Sequence, residues 1–524
     1  MITFGSRGSD LALTQTRMVG EALSRQTGLD HQIEIIETRG DRDLVSPLPT
    51  IGGKGVFTAE LEEALRAGRI DAAVHSLKDL PVDDPQGLTI GAIPARIAAN
   101  DVLVANPARI ENGALRPGAR VGTSSLRRRS AFLVERSDLV LTNIRGNVPT
   151  RVDRVRRGDY DATVLAAAGL DRLDLDLGGL TRMTLPIDRH LPAPGQGALA
   201  VQCRADDEKL LGALRKLHHP GTSRCVGAER ELLHRLGGGC SMPLGALCTP
   251  HGDDYRLRTS LFGRVHAGCG VFTERTGTDP TLLAADLAAD LSPLVGDPLE
   301  GLRVALLRPD GNGGRLGQAL GVAGATVETI AMTRTIPVEA ALHTEQAAAI
   351  AFTSARAVAR FQEQVSGPVD APIFAIGPAT AAALRSLGFE CRVPQPPSGG
   401  ATLARFLIDS GITSGRVLFP CAADRQGDLE RVLGENGVAV DAVPLYQTER
   451  IEQPAITRTD DWLVFSSPSA TGAWAASGSQ HDGQRLALGE TTAAAMVENG
   501  IRCDAIAATP SAGALITAMK EARQ

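Results

Sequence analysis

Between Val121 and Arg157 the chain carries Arg127, Arg128, Arg129, Arg136, Arg145, Arg151, Arg154, Arg156 and Arg157, with no lysine and only Glu135, Asp138 and Asp153 opposing them. Guanidinium is a planar fork that grips carboxylate or phosphate at two points, where ammonium is a point charge. The arginines recur at two junctions, GTSS before Arg127-Arg128 and Arg145-Gly146-Asn147, that each read as strand, tight turn and helix start, where backbone N–H groups add to an anion site. A solvated basic face is the plain alternative; the repetition at two junctions favours a site for a polyanion. A second candidate lies in DAAVHSLKDLPVD (Asp71–Asp83), where an apolar strand ends at His75-Ser76 and Lys78-Asp79 follow at its carboxyl end, the position at which open α/β sheets bind ligands. That pair is either a structural ion pair or a tuned acid/base.

These residues sit in a chain of 524 residues, long enough for several domains. A net charge of −6 makes the arginine cluster local, and with aromatics at 3% there is little material for stacking bases, so nucleic acid is not an expected partner. The opening MITFGSRGSD lacks the pattern of an export signal, and no uncharged apolar run would span a bilayer. The eight cysteines show neither CxxC pairs nor metal-ligand spacing, so reduced thiols in a cytoplasm and no metal are expected.

The elements that must position the candidates alternate. Ile2–Phe4 reads as a strand, a helix begins near Asp10, and His31–Glu37 alternates as a strand; repeated strand and helix predict an α/β fold with a largely parallel sheet. IGGKGVF (Ile51–Phe57) suits a mobile loop or a close approach to a ligand, with Lys54 adding a cation. After SPLVGDPLE (Ser292–Glu300), a linker by composition, the rhythm restarts with Leu302–Leu307 and contains a repeat: FAIGPATAAALRSLGFE aligns with LALGETTAAAMVENGIR, and AFTSARAV with VFSSPSAT. Two similar α/β units with hydroxyl-bearing loops at strand ends follow. Thr353, Ser354, Ser466 and Ser467 either bind anions there or cap the next helices.

HSLKDLP, GTSSLRRRS, IRGNVPTR, LPAPGQGALAVQCR and LGGGCSMPLG, in this order over roughly Met1 to Pro298, resemble hydroxymethylbilane synthase, also called porphobilinogen deaminase. The resemblance implies two periplasmic-binding-protein-like domains around a cleft (residues 1–95 plus 196–216, and 100–190) and a small α+β domain (218–295), with 296–300 as a linker. It also implies a dipyrromethane cofactor attached by thioether through Cys240, in the Gly237-Gly238-Gly239 loop. Cofactor contacts would come from Lys54, Ser125, Arg127, Arg128, Arg145 and Gly146, and substrate contacts from Arg7, Ser9, Phe57, Arg151, Arg172 and Gln196. Porphobilinogen bears an acetate and a propionate, which gives the arginines their purpose. Asp79 matches the family's catalytic aspartate: it would help the amine leave and stabilise the positively charged azafulvene that the next pyrrole attacks, with Lys78 holding a carboxylate. The chain departs from many relatives at Thr50, where they have a lysine.

LLRP, AFTSARAV, AIGPATAAAL, VLFPCAADRQGDL, VPLYQTER, VFSSPSA and LGETTAAA resemble uroporphyrinogen-III synthase from about Gly301 onward. Two α/β domains (301–334 plus 449–524, and 338–444) joined by two strands near Thr333–Val338 and Val443–Arg450 are implied. The substrate would be hydroxymethylbilane, with Tyr446 assisting departure of its hydroxyl and Thr353, Ser354, Ser466, Ser467 and Thr492 as carboxylate contacts. The whole chain would then be a bifunctional cytoplasmic tetrapyrrole-synthesis enzyme. Its partners would be small molecules, not nucleic acid or membrane, and it would be a monomer. The competing readings are a non-catalytic solute-binding protein, a nucleic-acid-binding regulator and, for the second half alone, an inactive or regulatory module.

Overall fold

The computed structural model describes residues 1–38, 58–83, 85–239, 241–308, 313–394, 399–425, 427–452 and 454–523. Lys54, Phe57, Thr50 and Cys240 lie outside the described residues.

The first sheet runs in the order His31–Ile35, Ile2–Ser6, Ala72–Ser76, Leu199–Arg204, Leu88–Ala92. Ile2–Ser6 is parallel to both neighbours, while the late strand Leu199–Arg204 enters antiparallel between two early ones. A second sheet repeats the plan: Thr181–Thr184, Asp101–Ala105, Ala162–Ala166, Arg120–Gly122, Val140–Thr142, with Asp101–Ala105 antiparallel to its neighbours. The chain therefore crosses between the two lobes twice, after Ala92 and again before Leu199. DVLVA at 101–105 is buried at every position, as expected of a strand covered on both faces.

Three helices of these lobes start at side-chain caps. Ser9 accepts from Ala12 N at the start of Asp10–Thr27, Ser125 accepts from Arg128 N at Leu126–Glu135, and Asn147 accepts from Thr150 N at Val148–Arg156. Gly197 lies at the second crossing with φ 88°, and a side chain there would stand 2.7 Å from Ala98 O on the first crossing, so only glycine lets the two segments pass.

A third lobe pairs Leu244–His251, Asp254–Phe262 and Gly270–Gly277 in an antiparallel sheet, packed on Pro220–Arg235 and Pro280–Leu291. Glu229, 0% exposed, joins it to the crossings. It accepts from Arg96 Nη1 (2.6 Å) and Nη2 (3.2 Å), from Gly195 N (2.8 Å) and from Cys248 N (2.9 Å). A buried carboxylate with its charge paired and its lone pairs filled is the form in which burial is tolerated.

The second half contains two more five-stranded sheets. One runs Thr326–Ala331, Arg303–Arg308, Trp462–Phe465, Gln484–Ala487, Ala505–Ile506; the other runs Thr333–Pro337, Ala439–Arg450, Arg416–Ala422, Ala349–Phe352, Ile373–Ala375. The expected two-stranded connection is present: Thr333–Pro337 runs antiparallel to the end of Ala439–Arg450, from Thr333 opposite Arg450 to Pro337 opposite Tyr446. By packing, the chain forms two compact units, Met1–Val304 with Gly314–Val327 and Ala507–Gln524, and Ala305–Gly313 with Glu328–Ile506.

Candidate active sites

A cleft of about 950 Å³ opens between the first two lobes. Arg7, Ser9, Lys78 and Asp79 line it from the first lobe, and Arg128, Arg145, Gly146, Arg151 and Arg172 line it from the second. Lys78 and Asp79 form a single 3₁₀ turn, Leu77–Asp79, directly after the strand Ala72–Ser76, so the strand's carboxyl end delivers both to the cleft. Gly146 has φ 106°, and a Cβ there would press on Thr150 at 2.6 Å; Arg151 Nε donates to its carbonyl at 2.8 Å.

Arginines facing one another need an organising anion, and Asp101 supplies it from the first residue of its strand. Its carboxylate, 1% exposed, accepts from Arg127 Nη2 (2.8 Å), Arg128 Nη2 (2.7 Å) and Gln196 Nε2 (2.9 Å). Burial alone would raise its pKa, but Arg127 and Arg128 override that and hold it well below the usual carboxylate range. Gln196, on the second crossing, also donates to Ala99 O at 2.7 Å and accepts from Lys78 Nζ at 3.4 Å. Burial lowers the Lys78 pKa, opposed by Asp79.

The cationic side of the cleft is under-neutralised. Arg151 is lowered to about 10 by burial and then by Arg128 and Arg145; Arg172 is lowered to about 10 by burial, opposed by Asp171. Arg128 Nε, Arg145 Nη2 and Arg172 Nε are buried with no hydrogen-bond partner among the described residues. Orphaned guanidinium N–H groups and crowded positive charge are costly by themselves and are relieved by a bound polyanion. A ligand carrying several carboxylates would meet that requirement.

Not every expected contact lies in the cleft. Arg127 is 4% exposed and is not among the residues that line it, with Nη1 on Leu191 O at 2.6 Å and Nη2 on the buried carboxylate of Asp101. Ser125 spends its hydroxyl on the helix cap. Gln196 is 1% exposed and acts through Asp101 and Lys78. Asp101 itself escaped sequence reading, since nothing in its neighbourhood marks it. Gln15, which also lines the cleft and donates to Ser76 Oγ at 3.1 Å, was missed for the same reason.

In the second half, Tyr446 and Ser354 meet, hydroxyl to hydroxyl, at 3.0 Å. Ser354 also accepts from Ala357 N and caps Ala355–Gln364, while Ser467 accepts from Ala470 N and caps Pro468–Ser477. Thr353 precedes that first cap at the end of strand Ala349–Phe352. Ser466 donates to Leu307 O at 2.5 Å. Thr492, 4% exposed, is buried in the first turn of Glu490–Glu498. The capping alternative thus describes Ser354 and Ser467, and Ser354 adds a link to Tyr446.

Fold and cleft together define a lobed α/β protein whose cleft lies between one wall bearing Lys78 and Asp79 and another bearing Arg128, Arg145, Arg151 and Arg172. A family model described as porphobilinogen deaminase, dipyromethane cofactor binding domain, matches residues 2–212, and one described as porphobilinogen deaminase, C-terminal domain, matches residues 223–268. A third, described as uroporphyrinogen-III synthase HemD, matches residues 284–517. The porphobilinogen deaminase of Roseiflexus sp. (strain RS-1) is 47% identical over 291 residues, 55% of this chain and 95% of the relative. That of Bacillus subtilis (strain 168) is 42% identical over 290 residues, 55% of this chain and 91% of the relative. Among solved structures, the uroporphyrinogen-III synthetase from Helicobacter pylori 26695 is 18% identical, covers 42% of this chain and 100% of its own, and has a TM-score of 0.32. The chain belongs to the porphobilinogen deaminase family and carries a uroporphyrinogen-III synthase region fused behind it, which makes it a bifunctional enzyme of tetrapyrrole synthesis.

Asp101→Asn should leave Arg127 and Arg128 without their shared counter-charge, at a cost of about 3–5 kcal/mol. Because the folded-state pKa of Asp101 lies below its unfolded value, its contribution is present above about pH 4 and is lost as pH falls through the folded pKa. Urea midpoints measured from pH 7 down to pH 2 should therefore show a weaker acid-side decline in the variant than in the native protein.

Proposed function

We propose that the cleft between the first two lobes is where porphobilinogen units are joined to give hydroxymethylbilane, with Asp79 as the residue that acts on the reacting centre. The observation that carries this reading is the facing of Asp79 and Lys78 on one wall by Arg128, Arg145, Arg151 and Arg172 on the other. A dipyrromethane fits the orphaned guanidinium donors; Cys240 would anchor it and Arg128 and Arg145 would hold its carboxylates. When bound, that group supplies the pyrrole carbon that takes up incoming units.

The chain's own residues then have distinct duties. Arg7, Ser9, Arg151 and Arg172 hold the acetate and propionate of the substrate. Lys78, fixed by Gln196, pairs with a further carboxylate. Asp79 hydrogen-bonds the pyrrole N–H and assists proton delivery to the departing amine, which leaves as ammonia. It then stabilises the positive charge left on the substrate. The two lobes and third lobe are proposed to follow residues 1–95 plus 196–216, 100–190 and 218–295.

For the second half we place Tyr446 at the departing hydroxyl of hydroxymethylbilane, its phenol aligned by Ser354. Positioning is the larger part of that reaction, which ends in ring closure with the last pyrrole inverted. Thr353, Ser354, Ser466 and Ser467 would contact substrate carboxylates. A cytoplasmic monomer that engages neither nucleic acid nor membrane completes the proposal, supported by the net charge of −6 and by the free state of the described cysteines.

Asp79→Asn should reduce ammonia release from porphobilinogen by about 10²–10⁴-fold while substrate binding, followed by calorimetry, persists. Unchanged turnover would remove Asp79 from the chemistry. Tyr446→Phe, fed with hydroxymethylbilane, should slow formation of uroporphyrinogen III by about 10-fold or more and raise the share of the spontaneously closed isomer. An unaltered isomer ratio would exclude Tyr446.

A further inference from the structure

The deaminases that this chain resembles are matched over 95% and 91% of their length by 291 and 290 of its residues, and the deaminase family models match residues 2–212 and 223–268. In this chain, however, the compact unit built on those residues also includes Gly314–Val327 and Ala507–Gln524, which lie mostly in the stretch matched by the synthase model. We infer that two helices of the synthase stretch, Gly314–Val322 and Ala512–Glu521, complete the third deaminase lobe, so that the stability of the deaminase depends on residues beyond its own family boundary.

The contacts are specific. The side chain of Gln318 accepts from Gly270 N at 2.9 Å, which satisfies the first amide of the edge strand Gly270–Gly277. Leu299 N donates to Ala323 O at 2.8 Å and ties the linker to the end of the same helix. Leu316, Ala319, Leu320, Gly321 and Val322 are buried on the helix. Gly321 is what permits this approach: a Cβ there would stand 2.3 Å from Cys269 Sγ and 3.0 Å from its Cβ. On the last helix, a Cβ at Gly513 would meet Pro293 Cγ at 3.3 Å. Val322 also helps to wall a cavity of about 150 Å³ with Leu236, Gly238, Met242, Phe262 and Leu294. That cavity lies against the Gly237–Gly239 loop, so the helix backs the lobe where Gly238 and Met242 sit.

This inference is separate from the assignment of either reaction, because it concerns packing alone. It is tested in the full-length chain with Gly321→Ala. By helix propensity this change would stabilise the helix, so a loss of stability isolates the contact with Cys269. Hydrogen exchange in Gly270–Gly277 should speed up about tenfold, and the temperature of half-inactivation of porphobilinogen consumption should fall by about 5 °C. Cys269→Ala in the same chain, which removes the sulfur, should recover most of both effects, and Gln318→Ala should speed exchange at Gly270. If Gly321→Ala leaves exchange and half-inactivation unchanged, or raises the latter, the inference is wrong. If the native protein does not consume porphobilinogen at all, the functional reading fails and exchange alone still decides the packing.

Discussion

One buried carboxylate lies behind the cleft of the first half. Asp101 takes hydrogen bonds from Arg127, Arg128 and Gln196, and its position on the first residue of a strand places it between the crossing segments and the arginine-bearing helix. Without it, two adjacent guanidiniums would be buried side by side with no counter-charge, which desolvation penalises. With it, one arginine is spent on structure and its neighbour is held at the cleft. Gln196 carries the same constraint to Lys78, and Glu229 with Arg96 carries it onward to the third lobe. Three lobes thus meet at a short chain of charged hydrogen bonds, which also reaches Lys78 on the cleft wall.

The two halves solve different binding problems. On the proposed reading the first cleft holds a growing chain of carboxylate-bearing pyrroles, a task for which crowded arginines with unfilled N–H groups are suited. On the same reading the second half, which bends one substrate and closes it, relies on placed hydroxyls such as the Ser354–Tyr446 pair. Fusion adds a further advantage: the reactive linear product is made on the same chain that consumes it, which raises its effective concentration at the second site.

Sequence reading reached the parts of this design that are local. The strand-turn-helix junctions at Ser125 and Asn147 and the Lys78-Asp79 turn are properties of a few adjacent residues, so type and spacing sufficed. The direction of Arg127 was not legible, because its counter-charge, Asp101, lies 26 positions earlier and only the fold brings it near. The Ser354–Tyr446 bond spans 92 positions, and here each residue was named while their pairing was not. The grouping of Gly314–Val322 with the third lobe had no signal at all: a short apolar helix with glycines reads the same wherever it packs.

The account stands or falls on a covalently held polycarboxylate in the cleft of the first half. The most direct measurement is the intact mass of the denatured full-length protein, purified from cells that make porphobilinogen, for the native chain and for Cys240→Ser. An excess equal to two linked pyrrole units in the native chain, absent from the variant, is the predicted result. A native chain with the mass of its sequence alone would contradict it.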